Sequence, residues 1–152
     1  MNLPPSAHRV PQNTPDDLNQ RIRHTTQANI DYYAHHPDQI DDRLSELDEE
    51  WDIERVLETN AATLALTATI FGLLFGRRWL ILAALVTGFL LQHGLQGWCP
   101  PIRLFRRLGF RTPREIEAER YALKAVRGDF KDVPQGMEGA EPAMRATGRL
   151  GA

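Results

Sequence analysis

The sequence predicts an all-α protein: a two-helix transmembrane hairpin with helical cytoplasmic arms and disordered termini. Three observations predict it. Residues 61–76 carry no charge, and residues 79–98 carry none apart from what His93 contributes. Helix signals flank both runs. Charge is divided along the 152-residue chain: residues 1–60 hold 5 Arg against 13 Asp and Glu, residues 61–98 hold two Arg and no acid, and residues 99–152 hold 11 Lys and Arg against 7 acids. An acidic arm, an apolar middle and a basic tail are not the pattern of an evenly amphipathic soluble domain.

At 1.5 Å per residue the two runs extend about 24 Å and about 30 Å, against about 30 Å of bilayer hydrocarbon. The shorter run needs a thinned bilayer or snorkelling flanks such as Asn60 and Arg77. Seven residues of the first run and nine of the second are Leu, Ile, Phe or Val. Their insertion is favourable by roughly 2–4 and 3–5 kcal/mol before polar residues are subtracted. Neither run shows the polar face that a soluble amphipathic helix needs; the competing reading is a soluble helical oligomer with both runs in its core. Trp79 and Trp98 bracket the second run where interfacial aromatics belong. Small residues form a stripe on each helix, Ala65, Ala68, Thr69, Gly72 and Gly76 on the first, Ala84, Thr87 and Gly88 on the second. Gly72, Gly76 and Gly88 are the expected helix-packing positions, between the two helices or against a second copy.

Residues 1–13 and 131–152 are rich in Pro or Gly and poor in apolar residues, and both read as disordered. There is no secretory apolar core near the start. The acidic arm spans 14–59. Thr14-Pro15 begins a helix with Thr14 as N-cap, and His36-Pro37 ends it. A second helix is expected from about Asp38 to Thr59, with Ile40, Leu44, Leu47 and Trp51 spaced as a heptad-like seam. Its opposite face, Asp41, Asp42, Glu46, Asp48, Glu49 and Glu50, is either solvated or a docking surface for a basic partner. Residues 99–130 follow the hairpin. Cys99-Pro100-Pro101 ends the second apolar helix. Arg103, Arg106, Arg107 and Arg111 alternate with Ile102, Phe105 and Leu108, a basic amphipathic stretch suited to an anionic membrane surface. Thr112-Pro113-Arg114-Glu115 is a capping box, and its helix should run to about Arg127 and stop at Gly128.

The approach through Glu54-Arg55 to Asn60 and the ending Gly97-Trp98-Cys99-Pro100 resemble the YgaP-like inner-membrane transmembrane domain, a family of small bacterial membrane proteins of unknown function. The resemblance covers about residues 50–110. It implies a bacterial inner-membrane, multi-pass protein. Some members carry a sulfurtransferase domain ahead of the hairpin; nothing in this chain matches that domain, so the resemblance implies no catalysis.

Chemistry-bearing motifs are few. A single cysteine excludes a disulfide scaffold and a paired-Cys zinc site. No phosphate loop, nucleophile elbow or carboxylate pair appears. The chain is not basic overall, which argues against nucleic-acid binding. Cys99 is the one candidate redox thiol, but at a helix C-terminus the dipole disfavours a thiolate. His93 lies six residues away, off the face of Cys99, so no Cys–His pair is expected. His24, His35, His36 and Asp31 lack ligand spacing, so neither metal nor cofactor is expected. The expected role is structural or interaction-based and not enzymatic, with membrane lipids, a second copy or an unidentified protein as partners. The alternative is a sulfur-handling or thiol-redox accessory protein using Cys99. Arg55 before the hairpin and five arginines from Arg103 to Arg114 after it outnumber the two in the connecting loop, which places both termini in the cytoplasm.

Overall fold

The computed structural model describes Pro5 and residues 8–148. Every regular element among them is helical: α1 (Arg9–Gln12), α2 (Asp16–His35), α3 (Ile40–Glu49), α4 (Ile53–Leu74), α5 (Arg78–Gln96), α6 (Ile102–Arg107), α7 (Pro113–Arg127) and α8 (Ala140–Ala146), with 3-10 turns at Pro37–Gln39 and Met137–Gly139. The chain divides into two compact units, Met1–Ile22 with Trp51–Arg114, and Arg23–Glu50 with Glu115–Ala152.

Several boundaries follow local signals. α2 stops at His35, where Pro37 forbids its continuation. α7 starts at Pro113 and ends at Arg127, where Gly128 at φ 93° and the Asp129 N–H to Lys124 carbonyl bond (3.0 Å) close the helix. Others differ from expectation. Thr14 does not make the expected cap; its hydroxyl donates to the Val10 carbonyl at 2.8 Å, and α2 begins at Asp16. The helix expected over 38–59 is two helices. Asp52 caps α4, its carboxylate accepting the Arg55 N–H at 2.8 Å. The Ile53 N–H donates to the Arg111 carbonyl at 2.8 Å, and the Ile53 side chain is fully buried. Residues 53–59 therefore belong to the first apolar helix, which begins two turns before its uncharged run. The termini expected to be disordered also contain structure. Residues 9–12 form the turn α1 with Val10 buried, and 137–146 form a 3-10 turn and α8. Residues 1–4, 6, 7 and 149–152 of those segments lie outside the described residues.

In the first unit, α4 and α5 are each long and apolar enough to cross a membrane. They are joined through Gly76, whose φ of 129° is open to glycine at little cost. Phe71 meets Phe75 and Trp79 edge-on at this end, with centroids 5.3 and 5.2 Å apart. At Gly72 the helices approach so closely that a Cβ would lie 2.5 Å from Leu80 Cδ2. Ala68, one turn earlier, is also buried. Outside this seam the apolar side chains face outward, with Leu73 79% and Leu91 65% exposed. At the other end a small core gathers Val10, Ile53, Leu57, Cys99 and Ile102, with Phe105 and Phe110 against it.

The second unit buries Ile40, Leu44 and Leu47 of α3 against Ile116 and Leu123 of α7, with Tyr33 alongside. The heptad-like seam is thus covered within the chain, except for Trp51, which is exposed and lies under the Arg55 guanidinium at 4.2 Å. The acidic face of α3 meets basic side chains of α7: Asp48 pairs with Arg120 and Asp41 with Arg127. Beneath them Glu119, fully buried, accepts from Arg43 Nε at 2.8 Å and from Asn29 Nδ2 at 3.2 Å. Burial alone would lower the Arg43 pKa, but the bonds to Glu119 and Glu46 raise it above the ordinary value, so this guanidinium stays charged. Exposed pairs such as Asp48–Arg120 contribute about 0–1 kcal/mol each. The Glu119 cluster matters more, because a buried charge left without its partner costs about 3–5 kcal/mol.

Gly72→Leu should destabilise the α4–α5 pair by about 1–3 kcal/mol through overpacking, whereas Leu73→Ala, on the exposed face, should leave it nearly unchanged. Thermal unfolding of both variants in detergent checks this; equal small shifts would show that Gly72 is not a packing position.

Candidate functional site

The polar groups of the first unit converge where α4 begins and α5 ends. Glu54, in the first turn of α4, is held at both carboxylate oxygens. Arg9 Nη2 donates to Oε1 at 3.0 Å, and His93 Nε2 lies 2.8 Å from Oε2. Arg9 Nη1 reaches the Gly94 carbonyl at 3.1 Å, and Asn13 Nδ2 donates to the Gln96 carbonyl at 2.9 Å. The last turn of a helix leaves carbonyls without intrahelical partners. Arg9 of α1 and Asn13 just past it supply donors for two carbonyls at the end of α5, which explains why a Pro-rich segment is ordered there.

Gly97 makes this junction possible. It sits at φ 73° just past α5, and its N–H donates to the His93 carbonyl at 2.7 Å. A Cβ there would lie 2.5 Å from the Arg9 carbonyl carbon and oxygen. The left-handed turn reverses the chain and returns Cys99 to His93. The expectation that these two residues stay apart assumed a helix continuing through Trp98. In the structure the imidazole and the thiol line one cavity.

A carboxylate only accepts, so His93 donates to Glu54 through Nε2–H. In the neutral ring Nδ1 then carries a bare lone pair. His93 is 3% exposed, and its Nδ1 is buried with no hydrogen-bond partner among the described residues. Cys99 is buried as well. The cavity has a volume of about 320 Å³; Leu64, Val86, Phe89 and Leu90 line its apolar length, and His93 and Cys99 stand at its polar end.

The remaining expected residues separate into groups. Gly72 lies in the helix contact, Gly76 in the turn, and Gly88 faces open space. Ala84 and Thr87 are exposed on the same helix as Gly88. Arg103 and Arg107 are exposed on α6, beside the exposed Leu104 and Leu108. Arg106 and Arg111 are buried; Arg106 donates to the Phe110 carbonyl at 3.1 Å and to Asn19 Oδ1 at 3.0 Å. These two arginines serve the interior and not a membrane surface. His35 and His36 bond through Nδ1 to the carbonyls of Asp31 and Tyr32, each at 2.8 Å. Among the described residues no three His, Cys, Asp or Glu side chains are grouped to hold a metal ion.

Glu54 and Arg9 were not candidates from the sequence. Glu54 reads as one more acid of an acidic arm, and Arg9 as part of a disordered end. One signal was available: an acid and a histidine lie near the outer ends of two apolar helices joined by a tight turn, which brings them level. No family model, curated protein or solved structure matches this chain.

Gly97→Ala should cost about 1–3 kcal/mol for the left-handed backbone alone, and more for the clash with Arg9. Its sharper consequence is release of α1, so tryptic cleavage after Arg9 should quicken at least severalfold over wild type in detergent. Unchanged cleavage would mean that the turn at Gly97 does not hold α1.

Proposed function

We propose that this chain is a small integral membrane protein of the bacterial inner membrane, with a structural or interaction role. The observation that supports this reading best is the outward face of α4 and α5. Leu64, Leu66, Ile70, Leu73 and Leu74 on one helix, and Ile81, Leu85 and Leu91 on the other, are all exposed. A monomer in water rarely tolerates a contiguous apolar surface of that extent, whereas lipid requires it. Helices that formed the core of a soluble fold would bury these positions.

In this reading α4 and α5 form a transmembrane hairpin, as in the YgaP-like domain that the Gly97-Trp98-Cys99-Pro100 ending resembles. Arg77 and Arg78 mark the periplasmic turn, and both termini lie in the cytoplasm. The polar junction at Glu54 and His93 then lies at the cytoplasmic interface. This leaves spans shorter than 30 Å of hydrocarbon, which local thinning accommodates. On α6 the exposed Leu104 and Leu108 enter the headgroup boundary, while Arg103 and Arg107 meet anionic lipid. Homo-oligomers would form through the exposed Ala84, Thr87 and Gly88 of α5.

Alkaline extraction followed by flotation tests the location. The protein should float with the vesicles and stay there after carbonate; release into the supernatant would favour the soluble oligomer. Reporter fusions after residue 110 and at the N-terminus should be active only in the cytoplasm, and periplasmic activity at either would overturn the orientation.

A further inference from the structure

The mouth of the helix pair contains a constellation that a packing cysteine does not need. We propose that Glu54, His93 and Cys99 form a nucleophile–base–orienter set, and that Cys99 accepts a long-chain acyl group from an acyl thioester whose hydrocarbon chain occupies the adjoining cavity. The inference goes beyond the membrane reading.

Two observations carry it. The first is the polarity of the His93 ring. Glu54 fixes Nε2 as the donor, and Arg9 on the other carboxylate oxygen fixes Glu54. The other nitrogen is therefore Nδ1, buried with no hydrogen-bond partner among the described residues, in a ring that lines the same cavity as Cys99. A buried polar atom without a partner costs free energy, and a structural histidine would gain by bonding both nitrogens. The order carboxylate, imidazole, thiol is the arrangement in which a base removes a thiol proton while its outer nitrogen stays oriented. The second is the shape and lining of the cavity. His93 and Cys99 line it together with Leu64 and Val86, each about two helical turns farther along α4 or α5, and Asn60 is its one other polar side chain. A space apolar along its length and nucleophilic at one end matches a hydrocarbon chain with an electrophilic head. Leu64, Val86, Phe89 and Leu90 belong to the two apolar helices, so such a chain would enter from the bilayer.

The step balances without any redox partner. As Sγ attacks the thioester carbonyl carbon, the thiol proton passes to His93 Nδ1. The tetrahedral intermediate collapses, the carbon–sulfur bond of the donor breaks, and the departing sulfur takes the proton from His93. The products are S-acyl Cys99 and a free thiol.

The test uses the full chain in detergent with palmitoyl-coenzyme A as probe and acetyl-coenzyme A as the short-chain comparison. Wild type should gain one hydroxylamine-labile acyl group at Cys99, seen in the intact mass, at least about tenfold faster from palmitoyl than from acetyl donor. Cys99→Ser should gain none. His93→Ala should slow acylation by about 10²-fold or more, in line with loss of a general base, and added imidazole should restore part of the rate, which a merely structural histidine would not show. Glu54→Gln should slow it less. If His93→Ala fails to fold, the wild-type chain-length preference still decides. No acylation of Cys99 by palmitoyl donor, equal rates from both donors, or an unchanged rate in a folded His93→Ala protein would overturn the proposal. Failure here would leave the flotation result untouched, so the two readings fall separately.

Discussion

A partly buried carboxylate at the start of an apolar helix must be paired, because an isolated charge removed from water is expensive. Glu54 is that carboxylate, and much of the first unit is arranged around it. Arg9 and His93 take one oxygen each, and they come from different parts of the chain: the N-terminal turn and the end of α5. One residue thereby ties three segments together. Hydrogen bonds to charged groups contribute about 1.5–3 kcal/mol each, more than an exposed ion pair and enough to order a turn with little apolar surface of its own. The small core of Val10, Ile53, Leu57, Cys99 and Ile102 packs beside this junction.

The junction also sets what Cys99 faces. Glu54 decides which imidazole nitrogen is left without a partner, and the turn at Gly97 brings the thiol to the same cavity. The close approach of the Arg9 backbone to Gly97 means that the turn and the clamp depend on each other. The second unit meets the same constraint in another way. Glu119 of α7 is buried and neutralised by Arg43 of α3, while Arg120 and Arg127 balance acids on the exposed rim. In both units an acid withdrawn wholly or partly from water is matched by a guanidinium distant in sequence.

The features legible in the sequence are those fixed over a few residues. The two uncharged runs, the stop at His36-Pro37, and the span of α7 from Pro113 to Gly128 depend on composition, proline chemistry and a C-terminal glycine. What was not legible depends on distant partners. The break between α3 and α4 follows from Asp52 capping and from the Ile53 N–H bonding to Arg111, 58 residues away. Arg103, Arg106, Arg107 and Arg111 look alike in sequence, yet two are exposed and two are buried, and a partner such as Asn19 distinguishes them only in three dimensions. For the candidate site, Cys99 and His93 were both visible as residues. Their meeting was not, because it depends on a single left-handed glycine reversing the chain after α5. Of the three expected packing glycines, Gly72 alone meets the facing helix, and spacing does not separate it from Gly76 or Gly88.

The central claim is that Glu54 couples the N-terminal turn to the helix pair. A double-mutant cycle on Arg9 and Glu54, each changed to alanine singly and together and followed by thermal unfolding in detergent, measures that coupling directly. The account predicts that the two losses are not additive, with an interaction free energy of about 1–3 kcal/mol as for groups sharing one network. Additivity to within about 0.5 kcal/mol, the behaviour of independent sites, would contradict it.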